Sequence, residues 1–257
     1  MEEADGAVSA EQEAASMNFL QRLAGVYFEP KKTFQDINSK PSWIAIFVVL
    51  AAMLAASSYV ASTRVDVGAV TRKTLESLPI RMSEEQINQA VEQAEAQQQR
   101  RGPVGMLFSS LVTPITVLIL YLILAGIFLL TFMIAGAQLK YKKALAITIW
   151  GLSPPSIVQQ ILSAIVLFIK EPGTVDPTEG VIMTNLGSLV DAKAHAVLNS
   201  IASSLDLFTI WGIALLSIGF AAISDKKLTP KKAAGGIVTL WILYVLVKAG
   251  YRAIFSS

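Results

Sequence analysis

Chemistry in this chain would have to come from very few side chains. There is no cysteine and a single histidine, His195. Thiol nucleophiles, disulfides, cysteine-bound zinc and iron–sulfur clusters are therefore excluded, as is any site needing two imidazoles. Asp191 lies one helical turn before His195 and can pair with it. Neither a nucleophile nor a second ligand is evident nearby, so no catalytic residue, metal site or cofactor is expected. Polar groups stand in costly surroundings at two places. Asp206 opens an uncharged apolar run together with Phe208 and Trp211. There it reads as an interfacial residue capping a helix or contacting a neighbour, or alternatively as an ion or proton ligand. Ser153-Pro154-Pro155 falls near the middle of a second run, with Gln159 and Gln160 a turn further on. Paired prolines remove two backbone donors and should kink or break a helix, and the freed carbonyls need partners such as those amides. A broken helix with amides beside it can build a transport site at mid-depth. Prolines that only shape a bundle are the other reading.

The elements that must position these residues are membrane spans. The 257 residues are 53% hydrophobic and 16% charged, against roughly 25% charged in soluble domains. Mean hydropathy is +0.55. Apolar residues fall in long uncharged blocks, and charges cluster between them. A net charge of +2 is too balanced for a phosphate-binding surface, so nucleic acid is excluded as a partner. About 20 apolar residues cross a hydrocarbon core of about 30 Å. Five blocks meet that description, at about 42–62, 112–136, 144–169, 206–224 and 233–254, with an interfacial lead-in at 103–110. Runs such as 117–124 carry no polar stripe, unlike soluble core helices. The predicted fold is an all-α transmembrane bundle of five spans, with Lys248 and Arg252 snorkelling at the last.

Basic residues orient it. The pairs Lys31-Lys32, Lys142-Lys143 and Lys231-Lys232 are separated by two spans each, so all three belong on one side. The turn 140–143 has three lysines in four residues, whereas the loop 64–101 spreads six basic residues among six acids. Dense, short basic turns belong in the cytoplasm. The expected topology is a multi-pass inner-membrane protein, N-terminus cytoplasmic and C-terminus outside.

Outside the spans, residues 1–16 form an acidic, alanine-rich tail expected to be disordered. Residues 17–41 predict two short cytoplasmic helices. Leu20, Leu23 and Tyr27 share a face of the first; Pro30 opens the second, with Phe34 and Ile37 opposite Lys31 and Lys32. These helices either lie in the headgroup layer or pack on the bundle. The outer loop 64–101 contains a capping-box pattern, Ser83-Glu84-Glu85-Gln86, before a polar helical run. That run is a docking arm or simply a polar hairpin rising from the bilayer. The outer loop 170–205 begins with turn-formers and ends in an amphipathic helix whose Val197, Leu198, Ile201 and Leu205 share a face.

Several short motifs resemble the Yip family of membrane proteins, in its bacterial form. They are the run Leu23-Ala24-Gly25-Val26-Tyr27-Phe28-Glu29-Pro30-Lys31-Lys32-Thr33-Phe34, the turn Tyr141-Lys142-Lys143-Ala144-Leu145-Ala146, the pair Pro154-Pro155, and Leu205-Asp206-Leu207-Phe208-Thr209-Ile210-Trp211-Gly212. The likeness covers about 17–250. It implies five spans, a cytoplasmic N-terminus and no catalytic residues; eukaryotic members are named for interaction with Rab-type GTPases. The favoured function is a non-catalytic membrane scaffold or adaptor that engages membrane lipids, a protein partner or a second copy of itself. The alternative is a small-solute or ion transporter built around the kinked third span.

Overall fold

The computed structural model describes residues 16–64, 66–76, 82–169, 182–191, 194–225 and 227–255. The acidic tail, apart from Ser16, and the turn-formers Glu171-Pro172-Gly173 and Asp176-Pro177 lie outside the described residues. Among the described residues eleven α-helices follow in order: α1 Phe19–Phe28, α2 Pro30–Ser39, α3 Ile44–Arg64, α4 Val67–Glu76, α5 Glu84–Arg100, α6 Pro103–Ser110, α7 Val112–Ile134, α8 Tyr141–Ile169, α9 Ala196–Ala202, α10 Leu207–Ile223 and α11 Pro230–Phe255. A 3₁₀ turn, Leu186–Leu189, precedes α9. The fold is an all-α bundle; among the described residues the one β feature is an isolated antiparallel bridge between Asn185 and Asp206.

Among the described residues four stretches are long and apolar enough to cross a bilayer: Ile44–Thr63, Val104–Ile134, Tyr141–Ile169 and Pro230–Ile254. The fifth apolar helix, α10, has 17 residues, about 25 Å, which is shorter than the hydrocarbon core. Its shortness has a cause at each end. Asp206 stops it by capping, and Ser224 begins a turn whose hydroxyl accepts from the Leu228 N–H at 3.0 Å.

Helix α8 is the axis of the bundle. It touches α1, α2, α3, α7 and α10, and its run Ala144–Gly151 is buried throughout. At 29 residues, about 43 Å, it exceeds a bilayer crossing by about nine residues. Small residues allow the closest approach, between α8 and α10. A Cβ on Gly151 would lie 2.7 Å from Leu216 Cδ2, and one on Gly219 would lie 2.5 Å from Ile147 Cγ2. With no hydrophobic drive between helices in lipid, such contacts supply the association through dispersion. Phe220 fills the seam with α7, its ring centroid 5.4 Å from Phe128 and 4.8 Å from Phe132.

The outer face of the bundle is greasy. Ile119, Leu120, Ile123 and Ile127 on α7, and Leu243, Leu246 and Val247 on α11, are exposed. A continuous apolar surface of this size fits hydrocarbon and not water.

The polar segment between α3 and α6 folds as a helical hairpin. Ser83 Oγ accepts from the Gln86 N–H and Gln86 Oε1 accepts from the Ser83 N–H, a complete capping box at the start of α5. Helix α4 packs on α5, where Arg72 meets Glu84 at 3.3 Å and Ile87 is buried. Gln98 Nε2 donates to the Ser62 carbonyl, tying the hairpin to the end of α3.

Candidate functional site

Helices α1 and α2 form a hairpin whose second helix runs along α10. Asn18 caps α1 with a reciprocal capping box, and Pro30 opens α2 where a missing N–H costs nothing. At the turn of the hairpin the Tyr27 ring lies 5.6 Å from that of Trp211, and its hydroxyl donates to the Pro154 carbonyl at 3.1 Å. At the far end Asn38 Nδ2 donates to the Ala222 carbonyl at 3.2 Å, while Asn38 Oδ1 accepts from Lys143 Nζ at 2.6 Å. Trp211 and Ala222 are eleven residues, about 16 Å, apart on α10, which matches the length of a ten-residue helix. Val26, Phe34 and Ile37 are fully buried in the groove so formed.

The hairpin therefore packs on the bundle. Its first helix is also turned from the expected face. Leu20 is 70% exposed, while Arg22, which the spacing Phe19, Arg22, Val26 places on one row, is 5% exposed. Arg22 survives burial because its Nε donates to Asp36 Oδ2 at 2.6 Å and its Nη1 to Ser42 Oγ at 2.7 Å. The other Asp36 oxygen accepts from the Met17 N–H, and Trp150 Nε1 donates to the Ser42 carbonyl at 2.7 Å. This network joins α1, α2, the entry to α3 and the middle of α8. Beside it lies a cavity of about 590 Å³, with Arg22, Lys40, Lys142 and Trp150 on its walls.

The basic pairs separate. Lys142, Lys143 and Lys40 gather at the Asn38 end, and α11 begins there with Lys231 and Lys232, both exposed. Lys31 and Lys32 stand a helix length away in the first turn of α2, exposed, with Lys32 3.2 Å from Glu29.

Pro154 and Pro155 do not break α8, which is one continuous helix from Tyr141 to Ile169. The acceptors they orphan are the carbonyls of Trp150 and Gly151, four residues back. Gln159 and Gln160 lie eight to ten residues from those, about 12–15 Å along the helix, and make no hydrogen bond to them. The Gly151 carbonyl instead faces Gly212 of α10, whose added Cβ would sit 4.0 Å away. Both prolines are buried, whereas the two glutamines are half-exposed.

Asp206 is engaged as a structural clasp. Oδ1 accepts from the N–H groups of Phe208 and Thr209, capping α10, and Oδ2 accepts from the Thr184 hydroxyl. The backbone adds Leu186 N–H to Leu205 O and Leu207 N–H to Thr184 O, both 3.2 Å. Phe208 is buried and Trp211 is half-buried against Tyr27, so the pair packs into the protein. Burial also raises the Tyr27 phenol above its ordinary pKa of 10.0, keeping it a donor.

Lys248 does not snorkel into water. Its Nζ donates to the Ser200 carbonyl and to the hydroxyls of Ser203 and Ser204, at 3.2, 3.0 and 3.2 Å. These acceptors lie at the C-terminal end of α9, where a cation is favoured. Helix α9 consequently turns its polar side inward, and Val197, Leu198 and Ile201 stay exposed; Leu205 falls beyond its end. Sequence reasoning missed this clasp, Arg22 and Asn38. The row Phe19, Arg22, Val26 was the available signal for Arg22; nothing local marks Asn38 or Thr184. Among the described residues no group of three His, Asp or Glu side chains is placed to hold a metal ion.

Four long apolar helices, lipid-compatible outer faces and polar groups turned inward define a multi-pass helical membrane protein. The chain belongs to the Yip family: it matches the Yip1 domain over residues 24–250, nearly its whole length. No curated protein and no solved structure matches it.

Proposed function

We propose that the chain is a non-catalytic membrane scaffold or adaptor whose working surface is the end bearing Lys40, Lys142, Lys231 and Lys232. The observation that carries this reading is a division of labour among its polar groups. Asp206, Lys248, Asn38 and the Arg22–Asp36 pair each hold helices together, whereas those four lysines are exposed around one end. Exposed lysines beside a span suit anionic headgroups or an acidic face of a protein.

In this reading α3, α8 and α11 leave the basic end and α7 and α10 return to it, giving five crossings with the basic end cytoplasmic. Support comes from Ser42 at the entry of α3 beside Trp150 of α8, and from Asn38 joining α2, Lys143 and the end of α10. Crosslinking and pull-down from native membranes tests the role. The wild type and Gln159→Leu/Gln160→Leu should recover the same partner, and Lys142→Glu/Lys231→Glu/Lys232→Glu should lose it. Solute flux in proteoliposomes that disappears in the glutamine variant would overturn the scaffold reading in favour of transport.

A further inference from the structure

We propose that the cavity beside Trp150 binds the phosphate headgroup of an anionic phospholipid, an inference that rests on the scaffold reading and names one of its partners. The first reason is charge. Arg22 is balanced by Asp36, whose two oxygens are occupied by Arg22 and the Met17 N–H. Lys40 and Lys142 also line the cavity, and neither forms an ion pair with a described residue; Lys40 donates only to Ser16 Oγ, at 3.2 Å. Two positive charges thus face one space without a counter-ion among the described residues. A phosphodiester carries the complementary charge and accepts several hydrogen bonds.

Donors are at hand besides the lysines. Arg22 uses two of its N–H groups, leaving three of the usual five. The hydroxyls of Ser39 and Ser42 are on the wall as well, and Ser42 Oγ accepts from Arg22, which leaves its own proton to donate. The arginine is built in, 5% exposed and fixed by a helix hairpin, so the site exists before any ligand arrives.

Position decides between a lipid and a soluble phosphate. Ser42 lies two residues before α3, which crosses the membrane, and Ala45 of α3 is itself on the cavity wall. From there the surface continues over Ile44 and Val48, 64% and 57% exposed, where acyl chains can lie. Phe19 and Trp150 supply an apolar wall at the level of the glycerol backbone. Lys142 and Trp150 are eight residues, about 12 Å, apart on α8, so the cavity spans a headgroup and the first methylenes of its chains. Its volume of about 590 Å³ lies within the range of small-ligand sites.

The test uses the full chain in neutral detergent, with bound lipid counted by native mass spectrometry during titration with phosphatidylglycerol or phosphatidylcholine. Phosphatidylglycerol should be retained in preference. Lys40→Gln/Lys142→Gln should weaken retention on the order of thirty-fold, about five-fold for each lysine near an anionic surface. Lys40→Arg/Lys142→Arg, which keeps the charge, and Lys31→Gln/Lys32→Gln, exposed a helix length from the cavity, should retain it. The proposal is overturned if the Lys40/Lys142 glutamine variant binds as the wild type does, or if the Lys31/Lys32 variant loses as much. Displacement by millimolar inorganic phosphate would likewise overturn it, by making a soluble anion the ligand. Equal retention of phosphatidylglycerol and phosphatidylcholine by the wild type, with a partner still recovered by crosslinking, would overturn this site and leave the scaffold standing; preferential phosphatidylglycerol retention with no partner recovered would do the reverse.

Discussion

Gly219→Ala should separate the close packing of α2, α8 and α10 from mere helix preference. A Cβ at this position would lie 2.5 Å from Ile147 Cγ2 and 3.2 Å from Phe34 Cδ1. Carbon atoms rest at about 3.5–4.0 Å, so at least about 1 Å must be found. Ile147 and Phe34 are both fully buried, and Ile147 is β-branched with little freedom at χ1. Overpacking of this kind costs about 1–3 kcal/mol, while replacing glycine by alanine in a helix returns about 1 kcal/mol. Gly250→Ala isolates the second effect, because nothing lies within 4 Å of its added Cβ. The two variants should therefore differ by about 1–3 kcal/mol in unfolding free energy, with Gly219→Ala the less stable. Unfolding by SDS in mixed micelles, followed by circular dichroism, reads this difference. A local readout accompanies it: Thr33→Cys, at a fully buried position of α2, should react faster with maleimide in the Gly219→Ala background. Equal stability of the two glycine variants would refute the packing argument.

Three further outcomes follow from the clasps. Asp206→Ala should lower stability by about 1–2 kcal/mol through loss of the α10 cap, and Asp206→Asn, which keeps an acceptor, should restore most of it; an ion- or proton-binding role would make the asparagine variant as defective as alanine. Lys248→Met should cost about 1–3 kcal/mol by leaving the end of α9 without its donor, and limited proteolysis should then cut between residues 182 and 206. Tyr27→Phe should cost about 1 kcal/mol, since the ring contact with Trp211 stays and only the bond to the Pro154 carbonyl goes. The pH dependence has a definite sign. The folded phenol titrates above its ordinary value of 10.0, so the wild type should be unaffected by this group below about pH 10 and lose stability above it, and Tyr27→Phe should remove that alkaline component.

Helix type and location were legible because long uncharged blocks admit little else in a membrane. The interfacial lead-in read at 103–110 is α6, and the capping box at Ser83 is formed as its residues suggested. Faces were harder. The apolar pattern of α1 pointed to Leu20, yet Leu20 is exposed and Arg22 is inside, because the helix faces a protein groove already supplied with Asp36 and Ser42. A hydropathy pattern cannot anticipate a polar partner 14 residues away. The same holds for α9, whose apolar side is turned outward because Lys248 draws its serines in. The proline pair shows a different limit. Of the kink or break expected from the lost hydrogen bonds, the break does not form: α8 is continuous, and the Gly151 carbonyl lies on the side where glycines let α10 approach. Asn38 and Thr184 are single polar residues in ordinary company, and only the tertiary arrangement gives them roles.

The absence of cysteine from the sequence permits a direct test of the central arrangement. Single cysteines at Ser39, Lys142 and Lys231 sit at exposed positions around the basic end, and one at Ile254 lies at the far end of α11. Labelling with a membrane-impermeant maleimide should modify the first three only in inside-out vesicles and the fourth only in right-side-out ones. Labelling of Ser39→Cys, Lys142→Cys and Lys231→Cys from different faces, or of Ile254→Cys from the same face as the others, would contradict the five crossings and the single basic end on which the scaffold depends.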